Sequence, residues 1–360
     1  MTYRQSELRA AGLLAEARRI RLVAHATPTN FRKELRRLIQ SWERGDITEP
    51  RFEYTPSPSL EKVRAALSAA LKEVDGPLTE LYRRRVEELI VESWAAEAVG
   101  KPDLWKLARH RFPRRDRFDD EADVLAERWV GAHVGESELP DILSDDERDE
   151  RSLLCAMRRA VGKHKLPVRV RASVEMAPLA ATGDGVIFVA AGRMLTGADV
   201  SRTVIHEVMG HVLPQQAAKE TPMVLFALGT AFGADDQEGR AILMEERAEE
   251  LSFWRRRELA LRHLAARRLE SGAGFVDAAK LLLQKDVDLT DALRVTARVY
   301  RGGGLGREAG YLPAFLRVRD ALAKLPELEL AMERGRISVE AAGEILTSGV
   351  LQDCSPPRWR

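Results

Sequence analysis

The chain has 360 residues, 45% hydrophobic and 31% charged; that is enough to bury a sizeable core without disulfides and argues against global disorder. Lys and Arg number 57 against 56 Asp and Glu, a formal net charge of +1, so nucleic acid is not indicated as the principal partner. Two cysteines, Cys155 and Cys354, exclude a disulfide framework or a C-x-x-C zinc site; with no apolar leader in Met1–Leu22 and no uncharged run of ~18–20 residues, the expectation is a cytoplasmic protein with no membrane span.

The first third reads as helical. In Glu61–Val74 the residues Val63, Ala66, Leu67, Ala70, Leu71 and Val74 recur at helical spacing. Gly76-Pro77 breaks that helix, and Leu78–Val99 resumes one. Pro50, Pro56 and Pro58 mark an extended stretch over Glu49–Ser59. Asp145–Arg151 is charged at every position, a mixed-sign run that faces water. It is the expected seam between a helical N-terminal region, residues 1–150, and a catalytic region, residues 151–352, unless both form one integrated domain.

Beyond the seam the pattern changes. Leu166–Ser173 sets Val168 and Val170 against Arg169 and Arg171, as in a half-buried strand. Ala181–Gly185 reads as a turn and Val186–Ala190 as a second strand. Thr196 with Asp199 predicts a capped helix start. The chain is then expected to turn at Pro214, pass a loop holding Gly229 and Gly233, and re-enter helix near Asp236, continuing to about Leu269. Thr290-Asp291 opens a further helix that stops at Gly302-Gly303-Gly304. Strands followed by helices give an α+β class, mostly helical with a small sheet.

Chemistry concentrates in His206-Glu207-Val208-Met209-Gly210-His211. This is H-E-x-x-x-H, one residue longer than the H-E-x-x-H in which two His bind zinc and the Glu is a general base. On a regular α-helix a five-residue step leaves the two rings about 140° apart, too far to chelate. A local π-type widening would restore a common side, and Gly210, without a Cβ, makes it cheaper. The spacing therefore predicts a bulge or break at Met209-Gly210. A third ligand is needed, and Asp235-Asp236-Gln237-Glu238-Gly239 supplies acidic candidates at the next helix start. Glu245 and Glu246 read as solvated helix acids, with support of a metal ligand as the sharper alternative. His25, His110, His133, His164 and His263 have no paired spacing and read as surface or satisfied core residues.

Taken together, His206–Leu213, Gly229–Gly233 and Gln237-Glu238-Gly239-Arg240-Ala241 resemble the bacterial proteins named for a Q-E-G-L-A motif, relatives of the microtubule-associated tyrosine carboxypeptidase. Ala181-Thr182-Gly183-Asp184 upstream resembles the family too, as do Arg298–Gly304 and Tyr311-Leu312 downstream; Asn30 and the Pro50–Pro56 stretch match loosely. Arg240 stands where the family usually has Leu, and reads as a surface Arg in preference to one entering the cleft.

The resemblance implies a zincin-like α+β metallopeptidase, its active-site helix beside a small sheet. It implies Zn2+ held by His206, His211 and Glu238, with Glu207 as general base and Tyr311 as a donor to the developing oxyanion. The substrate would be a peptide or protein C-terminus losing an aromatic residue, Tyr or Phe. Arg301 is the first choice to receive the terminal carboxylate, with Gly302 and Gly303 allowing close approach of a peptide and Tyr300 beside them, more readily a core residue. Spacing alone leaves open an endopeptidase or amidase on the same site. It also leaves open a noncatalytic regulatory or binding protein with a vestigial zinc site, against which the intact Glu207 argues. Oligomeric state is not legible.

Overall fold

Helices form where the sequence repeats its apolar residues every three to four positions. The computed structural model describes residues 3–132, 139–183 and 185–354; His133 and Asp184 lie outside the described residues. Tyr3–Ala17, Phe31–Glu43, Glu61–Leu71, Thr79–Glu97, Leu104–Arg111 and Arg117–Gly131 are helical. The proline-marked Glu49–Ser59 stretch has no regular structure. Asn30 clamps it: its Nδ2 donates to the Arg51 carbonyl at 2.9 Å and its Oδ1 accepts from the Glu53 N–H at 3.0 Å.

Among the described residues, five short strands follow in chain order: β1 (Ile142–Leu143), β2 (Arg169–Ser173), β3 (Ala180–Gly183), β4 (Val186–Ala190) and β5 (Met194–Leu195). β1 pairs antiparallel with β5, and the other three form a sheet in the order β2-β4-β3, β4 running parallel to β2 and antiparallel to β3. The apolar run Val186–Ala190 takes the central place, and all of it is buried except Phe188. The expected turn over Ala181–Gly185 is mostly strand: Ala180–Gly183 is β3, and Gly185, just before β4, has φ +74°.

The sheet packs on the Leu153–Lys163 helix and on the helix that carries His206. Leu153, Leu154, Met157, Ile187, Val189, Val208 and Val212 form that interior. A larger cluster joins helices from both sides of the charged run, with Leu67, Leu89 and Leu104 alongside Leu312, Phe315 and Ile345. A third sets Phe31, Leu38 and Trp42 against Phe275, Leu293 and Ala297. The molecule is thus mostly helical with a small sheet, an α+β arrangement. Among the described residues, no helix is long and apolar enough to cross a membrane.

Expectation and structure part at several places. The chain does not turn at Pro214, because Leu213–Glu220 continues the helix. Pro214 falls in the first turn of the new α-helical stretch, where proline is tolerated. The helix expected from Asp236 to Leu269 is two, Gly233–Arg247 and Phe253–Glu270. Glu249 breaks it with φ +59°, and Ser252 caps the second helix by accepting from the Arg255 N–H.

Candidate active site

The Thr196 side chain accepts from the Asp199 N–H and Asp199 reciprocates, a capping box that fixes the start of Gly197–Val204. From Ile205 to Val212 the helix widens to π geometry, then returns to α at Leu213. The widening answers the five-residue spacing: the His206 and His211 rings lie 5.0 Å apart at their centroids. Gly210 has a further reason to lack a side chain. A Cβ there would come within 2.5 Å of the Ala241 Cβ, so the π segment lies directly on the Gly233–Arg247 helix. On that helix's other side, a Cβ at Gly239 would meet the Ala314 carbonyl carbon at 2.4 Å. These close approaches bring Glu238 to the two histidines.

One donor atom from each of His206, His211 and Glu238 lies within 4.8 Å of the others. The two Nε2 atoms are 3.3 Å apart; Glu238 Oε2 is 3.6 Å from His206 Nε2, and its Oε1 is 3.9 Å from His211 Nε2. A tetrahedral zinc with bonds of ~2.0–2.1 Å needs ligand atoms about 3.3–3.4 Å apart. The far nitrogens are already engaged: His206 Nδ1 meets Glu245 Oε1 at 2.7 Å, and His211 Nδ1 meets Gln237 Oε1 at 3.1 Å. Those acceptors hold the protons on Nδ1 and turn two Nε2 lone pairs toward each other, an arrangement that calls for a cation between them. The donor set suits a divalent metal with an open position.

Electrostatics agree. Burial opposes a charged His206 ring, but Glu238 and Glu245 outweigh it and raise its pKa to about 9. Burial pushes His211 down, with its positive neighbour His206 adding to that. Burial alone would raise Glu238; His206, His211 and Arg307 instead hold its carboxyl well below the usual range. The pocket keeps an anion and favours one positive charge between the rings.

Glu207 is buried, and its Oε2 accepts from Thr182 Oγ1 of β3 at 2.7 Å. Arg307 donates to Glu238 Oε1 at 3.0 Å and stacks over the Tyr311 ring, 5.3 Å from its centroid. Burial raises the Tyr311 pKa against the pull of Arg307, which keeps the phenol a proton carrier. The remaining expected residues have partners of their own. Arg301 is buried; it donates to the Arg298 carbonyl at 2.7 Å and to Glu308 Oε1 at 3.0 Å. Gly302 and Gly303 have φ of +76° and +95°. They face the N-terminal helices: a Cβ on Gly302 would meet Leu104 at 2.8 Å, and the Gly302 carbonyl accepts from the Gly100 N–H at 2.7 Å. Tyr300 packs edge-on against Phe275, centroids 5.6 Å apart. Arg240 is buried rather than on the surface, donating to the Met209 carbonyl and paired with Glu329 and Glu333.

Sequence reading gave no role to Gln237, Thr182 or Arg307 around the triad, and for Glu245 it preferred a solvated acid over support of a metal ligand. Gln237 and Glu245 flank Glu238 on one helix, and Glu245 follows it by seven residues, two turns on the same face. That spacing is the signal that marks Glu245 as more than a solvated acid. Thr182 lay in a matched stretch without an assigned role. Arg307 carried only its four-residue spacing to Tyr311.

A model of the family described as microtubule-associated tyrosine carboxypeptidase matches residues 42–359. The chain belongs to this family. No curated protein matches it. Among solved structures, one provisionally described as a lipoprotein from Colwellia psychrerythraea is 14% identical with a TM-score of 0.48. The alignment covers 81% of this chain and 66% of that one, so the chain spans just under two thirds of the protein it matches. For a member of the tyrosine carboxypeptidase family, a triad with a neighbouring buried glutamate is the arrangement to be explained.

Proposed function

We propose that this protein is a zinc-dependent, zincin-like carboxypeptidase that releases an aromatic residue, Tyr or Phe, from the C-terminus of a peptide or protein. The observation that carries the reading is the convergence of the His206, His211 and Glu238 donor atoms within 4.8 Å, beside the buried Glu207. Family membership supports the exopeptidase type.

His206, His211 and Glu238 would hold the ion, which when bound supplies a Lewis acid for the scissile carbonyl and makes water more acidic. Glu207 takes the proton of the attacking water at its carboxylate and delivers it to the leaving amine. Thr182 fixes which carboxylate oxygen is free, since its hydroxyl occupies Oε2. Tyr311 donates its phenolic proton as a hydrogen bond to the developing oxyanion. Arg307 holds Glu238 ionised and in place.

Mass spectrometry of a peptide library with varied free C-termini tests this. With zinc added, the wild type should remove one aromatic C-terminal residue and Glu207→Gln should not. Internal cleavage would exclude the exopeptidase type.

A further inference from the structure

The arginines around the Glu238 helix are almost all engaged. Arg307 holds Glu238, Arg301 holds Glu308, and Arg317 pairs with Asp236 at 2.5 Å. Arg111 spans Glu92 and Asp235, at 2.7 and 2.8 Å, and Arg85 pairs with Glu88. Arg336 differs. Among the described residues, no hydrogen bond or ion pair engages its guanidinium, although the side chain is exposed and free to meet a ligand.

Its backbone, in contrast, is pinned. The Thr230 N–H donates to the Arg336 carbonyl at 2.9 Å. A Cβ on Gly233 would lie 1.8 Å from that oxygen, and one on Gly229 would lie 3.1 Å from it. Only glycine fits at either place. Arg336 is thereby fixed to the turn from which the Gly233–Arg247 helix starts, and Glu238 lies five residues further along that helix. The charges acting on its guanidinium are those of Arg85, Glu92, Arg307 and Glu238, and crowding by neighbouring atoms depresses its pKa. An exposed guanidinium set beside other arginines, with no carboxylate paired to it, is open to an incoming anion.

We infer that Arg336 receives the terminal carboxylate of the substrate in a bidentate pair. This rests on the carboxypeptidase reading. The planar guanidinium fork matches a carboxylate, its backbone cannot drift relative to Glu238, and its hydrogen-bonding edge is unclaimed. Arg301 cannot take this part while Glu308 and the Arg298 carbonyl occupy it.

The test compares a peptide ending in a free tyrosine carboxylate with its C-terminal amide, on zinc-loaded wild type, Arg336→Gln and Arg336→Lys. A charge-assisted pair of this kind corresponds to a preference of about 10- to 100-fold. Wild type should show it for the free acid in kcat/KM. Arg336→Gln should lose it, mainly through KM because the contact exists before the chemistry, and Arg336→Lys should recover part. Free-acid preference retained in Arg336→Gln overturns the assignment and leaves the carboxypeptidase reading standing. A wild type that cuts acid and amide alike overturns both. Binding of the two peptides to Glu207→Gln, with and without Arg336→Gln, makes the same comparison without turnover. If wild type cuts neither peptide, the proposed function fails, while this binding comparison still decides for or against Arg336.

Discussion

Glu245 Oε1 lies 2.7 Å from His206 Nδ1, and the same carboxylate is gripped by Arg255, whose Nε reaches Oε2 at 2.9 Å. The break after Arg247 is what lets Arg255 fold back onto Glu245, ten residues earlier. Burial would raise the Glu245 pKa, but Arg255 and His206 hold it far below the carboxylate range, so it stays an anion. An anion at Nδ1 fixes the tautomer and makes Nε2 a better donor to a metal. Glu245→Gln should therefore weaken zinc binding about 10- to 100-fold. Titration against a competing chelator checks this; an unchanged affinity would remove Glu245 from the site.

Thr182 acts on the base rather than on the metal. Replacing it with Val keeps the shape and removes the hydrogen bond to Glu207 Oε2. Losing a hydrogen bond to a charged group costs roughly 1.5–3 kcal/mol. Thr182→Val should lower kcat about tenfold or more with little change in KM, and should leave zinc affinity intact. A change confined to KM would assign Thr182 to substrate binding instead.

The π segment was legible because the chemistry of the His206–His211 step demanded it: a five-residue spacing cannot chelate from a regular helix. The capped start at Thr196 and the buried strand Val186–Ala190 were equally local signals. The triple glycine was harder, since only tertiary contact shows that Gly302 lies against Leu104 and that its carbonyl accepts from Gly100. Arg240 is likewise decided by Glu329 and Glu333, almost a hundred residues away. Arg336 has no sequence signature, because its distinction is a partner it does not have.

Gly210 joins the two ligand-bearing helices. A Cβ there would sit 2.5 Å from the Ala241 Cβ and 3.1 Å from its Cα, too close without moving backbone. Gly210→Ala should cost about 1–3 kcal/mol as overpacking does, and should weaken metal binding as the helices separate. Gly162, late in the Leu153–Lys163 helix, has open space where a Cβ would stand, with none of the described residues within 4 Å; Gly162→Ala should be neutral or gain roughly 0.5–1 kcal/mol. Denaturant midpoints distinguish the two; equal effects would contradict the close-approach account.

His263 sets an acid limit on stability. It is fully buried, its Nε2 meets Asp123 Oδ1 at 2.8 Å, and its Nδ1 has no partner among the described residues. A neutral ring leaves an acceptor unpaired there; a charged ring would leave a buried N–H. Burial depresses the His263 pKa, and the Asp123 hydrogen bond only partly opposes it. A depressed pKa means that the unfolded chain takes up the proton first. The stabilisation is therefore complete above the free imidazole value of ~6.5 and is lost as pH falls through the lower folded value. Melting temperature should fall below about pH 6.5, and His263→Gln should flatten that part of the curve relative to wild type. Identical slopes for the two proteins would exclude His263 as the cause.

The most direct test of the metal centre is zinc stoichiometry by atomic emission after dialysis, on wild type, Glu207→Gln and His211→Ala. One zinc per chain in the first two and none in the third is the expected result, because Glu207 serves the proton and His211 the metal. A wild type that retains no zinc, or a His211→Ala that retains as much as wild type, would contradict the account.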